Sequence, residues 1–77
     1  MCKLPAIDGW EAIRAFERAG FTIVRKKGSH YILRKKGWRY HLSIPVHKGK
    51  NLKKGLLRKQ IKQAGLTEAE FVKLLWK

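Results

Sequence analysis

The stretch FTIVRKKGSHYILRKKGWRYHLSIP, residues 21–45, reads as three short strands parted by glycine turns. The strands are expected over residues 21–27, 29–35 and 38–44. The Lys27–Gly28 and Lys36–Gly37 pairs suit tight hairpin turns, because glycine takes a positive φ without steric cost. The third strand alternates cleanly, with Trp38, Tyr40, Leu42 and Ile44 on one face and Arg39, His41 and Ser43 on the other. In the second strand Tyr31 and Leu33 on one face compete with Ile32 on the other, so its faces stay unassigned. Pro45 has no N–H for the ladder and stops the sheet.

On the N-terminal side, Asp8 and Glu11 have capping-box spacing, and Trp10, Ile13 and Phe16 recur at helical spacing before Gly20. On the C-terminal side, a basic loop, VHKGKNLKKG (46–55), leads into a helix over residues 54–64, with Leu57, Ile61 and Ala64 inward and Gly65 as its stop. Thr67 and Glu70 repeat the capping-box pattern and open a short last helix with Phe71, Leu74 and Leu75 inward. The order α-β-β-β-α-α, without linker or repeat, predicts an α+β fold: an antiparallel three-stranded sheet with helices on one face. A length of 77 residues suits one domain over residues 1–77.

Charge narrows the class of partner. Nineteen Lys and Arg oppose five Asp and Glu, a net charge of +14. The acids (Asp8, Glu11, Glu17, Glu68, Glu70) lie near the two ends, and the stretch from Arg18 to Thr67 has none but holds 15 of the 19 basic residues. So concentrated a positive field binds polyanions through counterion release. A nucleic acid is the expected partner. An anionic membrane ranks far behind, since no long amphipathic helix with a bulky apolar face and no bilayer-length apolar run is present. Cys2 is the only cysteine, which rules out an internal disulfide and fits a reducing compartment. With no secretion-signal pattern at the start, a cytoplasmic location is expected.

Three histidines are available for chemistry: His30, His41 and His47. A lone histidine in a small domain is more often structural than catalytic, but His30 has a particular setting. It follows Gly28, where another backbone can approach closely, and Lys26, Lys27 and Arg34 flank it as holders of a phosphodiester. Imidazole titrates near neutrality, which suits a general base or acid, and neighbouring cations are expected to keep it neutral. The middle of the chain has no carboxylates to gather a metal, and the histidines lack tight ligand spacing, so no metal and no cofactor are expected. Cys2, at the chain end, is a poor nucleophile candidate. The remaining enzymatic route on RNA is metal-free, with the substrate's own 2′-hydroxyl attacking the adjacent phosphorus.

GWEAIRAFERAGF, then KKGSHYILR, then IPVHKGKNLKKGLLRKQIKQAGLTEAEF resemble the HicA toxins, small mRNA interferases of toxin–antitoxin pairs, over about residues 8–75. The resemblance implies a fold like the double-stranded-RNA-binding domain, metal-independent cleavage of mRNA, and inhibition by a HicB-type antitoxin. It places the catalytic histidine at His30, with Gly28 and Ser29 completing the motif, and aligns His47 with a histidine of secondary role. One departure is that Gly55 is followed by Leu56, where many members carry Thr. On this reading Lys26, Lys27, Arg34 and Lys53 or Lys54 hold the RNA backbone and Ser29 orients the strand end. The alternative is a non-catalytic RNA-binding module of the same fold, which needs only the lysines and a helix against the grooves. A DNA-binding protein lacks a recognition-helix pair. Because Trp38 and Tyr40 are assigned to the core, weak base preference is expected.

Overall fold

The structure, a computed structural model, describes residues 4–76, so the expectations for Cys2 lie outside the described residues. The order is α1 (Gly9–Arg18), β1 (Thr22–Lys27), β2 (His30–Arg34), β3 (Leu42–Pro45), α2 (Lys54–Gln63) and α3 (Glu68–Leu75). The strands form one antiparallel sheet in the order β1-β2-β3. The α+β, double-stranded-RNA-binding-domain-like arrangement is therefore present. Among the described residues no helix is long and apolar enough to cross a membrane.

Asp8 caps α1 by accepting the Glu11 N–H on Oδ1 at 2.9 Å, and such a cap contributes about 1 kcal/mol. The helix buries Gly9, Ala12, Ile13, Ala15 and Phe16. Trp10, expected on that stripe, is 45% exposed. At about 100° per residue it stands roughly 60° beyond Ile13, outside the buried arc centred between Ala12 and Phe16. Phe16 anchors the core between Phe21 and Phe71, with ring centroids 6.2 and 5.0 Å away. Both acceptor and donor halves of the Thr67–Glu70 capping box form at the start of α3.

The sheet settles the open question of strand two. Leu33 pairs with Leu42 and Tyr31 with Ile44, and Leu33, Leu42 and Ile44 are fully buried against Ile13, Phe16, Leu57 and Ile61. Ile32 pairs with Ser43 on the opposite, open face. Strand three is shorter than expected and shifted toward its end. It starts at Leu42 and keeps Pro45 as its last paired residue, opposite His30. Residues 35–41 form a loop, because Trp38 is drawn off the sheet. Its indole N–H donates to the Gln63 carbonyl at 2.8 Å, and its ring packs over Gly65 at the end of α2. Tyr40, expected inward, is 47% exposed. Arg39 and His41 are exposed, so the alternation holds for Leu42 and Ile44 only.

Two further features escape periodicity. A bulge between Ile23 and Arg25 shifts the register of β1, which reverses the face of every later residue in that strand. Gln60 is 6% exposed on the inner side of α2, and its Oε1 accepts the Ser43 N–H at 3.2 Å. This bond closes the free edge of β3, while β1 remains an exposed edge.

Candidate active site

The β1–β2 hairpin places His30. Lys27 and His30 are the last cross-strand pair, with Gly28 and Ser29 as the loop between them. Gly28 supplies the positive φ of 59° that a two-residue loop needs, and a Cβ there would meet nothing within 4 Å. The bulge puts Lys27 on the same face as His30 and sends Lys26 to the other, where its ammonium lies 5.5 Å from the Tyr31 ring centroid. Beyond the ladder, the Val46 N–H donates to the Ser29 carbonyl at 2.8 Å. The hairpin tip and the chain leaving β3 are thereby fastened together, which brings His47 alongside His30.

The loop over residues 46–53 is tied on its other side to the start of α1. Asp8 and Asn51 form an isolated antiparallel bridge, and the Leu52 N–H donates to the Ile7 carbonyl at 2.8 Å. Gly9 permits the closest approach, since a Cβ there would collide with the Pro45 carbonyl oxygen and Val46. A turn from His47 to Lys50, closed by the Lys50 N–H on the His47 carbonyl at 3.1 Å with Gly49 at φ 75°, carries the chain back toward α2.

These ties enclose a cleft of about 390 Å³. His30, His47, Lys50, Asn51 and Lys53 supply its polar groups, and Pro45, Leu52 and Leu56 its apolar wall. Two imidazoles and two ammonium groups converge on a space with no carboxylate. Lys53 is also the N-cap of α2, without a side-chain capping bond, and the first turn carries no acid. The free N–H groups there and the two lysines favour an anion. Among the described residues no three His, Cys, Asp or Glu side chains gather as a metal site. The single ion pair among them is the exposed Arg58–Glu68, at 3.3 Å, so the cations around the cleft are not neutralised by acids.

Of the residues expected from sequence, His30, His47 and Lys53 share the cleft. Gly28 and Ser29 form its hairpin lip, and Lys27 lies cross-strand from His30. Arg34 is on the same open face but farther along β2. With Lys27, Arg25, Val24, Ile32 and His41 it lines a second, more open groove of about 620 Å³. Lys54 is exposed in the first turn of α2 and is not part of the cleft wall, and Lys26 is on the opposite side of the sheet. Sequence reasoning missed Lys50 and Asn51. The signal for Lys50 was Gly49, which makes the turn that folds Lys50 back toward His47.

Residues 9–66, about three quarters of the chain, match the family model described as HicA toxin of bacterial toxin–antitoxin. The matched span contains α1, the whole sheet, the cleft loop and α2. A search of curated proteins found no match.

Proposed function

We propose that this chain, which belongs to the HicA toxin family and is the toxin of a toxin–antitoxin pair, is a metal-independent endoribonuclease acting on mRNA through His30. The observation that carries this reading is the convergence of His30, His47, Lys50 and Lys53 on one cleft. His30 takes the proton from a ribose 2′-hydroxyl. The 2′-oxygen attacks the adjacent phosphorus, the bond from phosphorus to the 5′-oxygen breaks, and His47 returns a proton to the departing oxygen. The products are a 2′,3′-cyclic phosphate and a 5′-hydroxyl. Lys50 and Lys53 offset the charge on the phosphoryl oxygens, and the free N–H groups at the start of α2 supplement them. Lys27 and Arg34 hold the flanking backbone on the open face of the sheet. Lys54 acts at longer range, Lys26 adds positive charge on the other side of the hairpin tip, and Gly28 and Ser29 serve as backbone that sets the lip. The activity belongs to one domain over residues 1–77, and the reaction uses no cofactor.

The partner protein is a HicB-type antitoxin with an acidic face. The chain's +14 charge draws such a partner in, and seating it over the β1–β2 hairpin masks His30. The test is cleavage of a single-stranded oligoribonucleotide by wild type, His30→Ala and His47→Ala, with and without chelator. Loss of a positioned acid or base costs about 10²- to 10⁴-fold in rate. Each substitution should fall in that range while RNA binding persists and chelator changes nothing. Binding without cleavage by the wild type would instead identify a non-catalytic RNA-binding module.

A further inference from the structure

Trp10 is a bulky apolar side chain at the start of α1 that the core does not use. It is 45% exposed although the rest of the inner stripe is sealed. Its ring lies 4.9 Å from that of Tyr31, tilted at 55°, and the Lys26 ammonium stands 5.5 Å from the Tyr31 centroid. A tryptophan that only shielded Tyr31 would not need an open face. A flat ring, an underlying second ring and a cation are the elements on which an unstacked nucleobase rests, because every base has a π-face and the cation holds the attached phosphate.

Two separate attachments put this platform beside the cleft. Tyr31 follows His30 directly in β2, so the platform and the imidazole occupy the two sides of one strand end. Trp10 is two residues from Asp8, which is bridged to Asn51 of the cleft wall, and its neighbour Gly9 abuts Pro45 and Val46. The only side chain at the hairpin tip between the two sides is Ser29, since Gly28 has none. A single strand can therefore cross the tip with cations on both sides, Lys27 toward His30 and Lys26 toward Tyr31. A duplex, whose bases are already stacked, gains nothing from an exposed indole.

We propose that Trp10, supported by Tyr31 and Lys26, is a nucleobase-binding subsite that selects single-stranded RNA and holds one base close to the phosphate presented to His30. This rests on the ribonuclease reading above. The platform stacks any base by its face, so it selects strand state more than sequence.

The test measures binding of labelled single-stranded 12-nucleotide RNA, by fluorescence anisotropy, to the full chain carrying His30→Ala, so that cleavage does not enter. Adding Trp10→Leu, which keeps an apolar cover on Tyr31 but no π-face, should weaken binding by about 5- to 150-fold, the range for removing one base–aromatic stack. Trp10→Phe should restore most of it. The slope of affinity against salt should not change, since Trp10 carries no charge. An otherwise identical RNA with abasic sites should bind equally well whether or not the chain carries Trp10→Leu. Tyr40→Ala, which removes a different exposed ring (47% exposed, beside Arg39), should have no effect. Equal affinity with and without Trp10, or a loss confined to Tyr40→Ala, would overturn the subsite and leave the ribonuclease reading standing. Failure of the chain to bind any RNA would overturn both.

Discussion

Gly9→Ala sets two well-known effects against each other. Helix propensity favours alanine over glycine by up to about 1 kcal/mol, so by propensity alone the substitution stabilises α1. The surroundings oppose it. The added methyl would collide with the Pro45 carbonyl oxygen, stand 2.8 Å from Val46 Cγ2 and lie 3.1 Å from Val46 Cα. Two of these three atoms are backbone, and they are fixed by the Val46 N–H bond to Ser29 and by the His30–Pro45 pair. Relief must come from moving α1 or the end of β3, and forcing a methyl into a packed site costs about 1–3 kcal/mol. Set against the full propensity gain, the clash leaves a net loss of about 0–2 kcal/mol, centred near 1. In a domain of this size each 1 kcal/mol moves Tm by roughly 4–8 °C, so a fall of about 4–8 °C, and at most about 16 °C, is expected in a circular-dichroism melt. Gly55→Ala is the internal control, because it is also helical and a Cβ there meets nothing within 4 Å. It should raise Tm by a few degrees. If Gly9→Ala also raised Tm, the close approach of α1 to the cleft loop would be refuted.

Replacing Lys27 and Lys53 with Ala should flatten the dependence of RNA affinity on salt, by about 0.7 for each single-strand phosphate no longer neutralised, and should leave the melt unchanged. An unchanged slope would move the RNA path away from the His30 face. Gln60→Leu should lower stability by about 1–3 kcal/mol in chemical denaturation, because the Ser43 N–H at the edge of β3 loses its acceptor. No change would mean that water replaces the glutamine freely. The Thr67 backbone N–H, and secondarily its hydroxyl, hold the Glu70 carboxyl below its ordinary pKa. A depressed carboxylate stabilises the fold above its unfolded pKa, and the contribution is lost as pH falls through the folded value. Glu70→Gln, which removes the carboxylate, should therefore lower Tm at neutral pH, and the difference from wild type should shrink in strong acid, where the native carboxyl is also uncharged.

The fold was legible wherever one local rule acted alone. Both N-caps, the stop at Gly65 and the buried pair Leu42 and Ile44 follow from side-chain chemistry and period-two alternation. What was not legible depends on contacts distant in sequence. Trp38 left the strand for a carbonyl 25 residues away, which shortened β3 and exposed Tyr40. The bulge after Ile23 has no glycine to announce it, yet it determines that Lys27 rather than Lys26 shares a face with His30. Trp10 looked like a core residue because its spacing to Ile13 and Phe16 is helical. Its exposure follows from the position of the buried arc, which is centred between Ala12 and Phe16 and ends at Ile13. At the site, His30, His47 and Lys53 were readable as residue types. Their convergence with Lys50 was not, since it is made by the Ser29–Val46 bond and the turn at Gly49.

The chemistry of the cut ends tests the central claim most directly. RNA cleaved by the wild-type chain in the presence of chelator should carry a 2′,3′-cyclic phosphate on one fragment and a 5′-hydroxyl on the other, read by mass spectrometry. An RNA with a single 2′-deoxyribose at the scissile position should stay intact, because the nucleophile is missing. Fragments bearing 5′-phosphates, or cleavage that proceeds at the 2′-deoxy position, would contradict a histidine-driven attack by the 2′-hydroxyl.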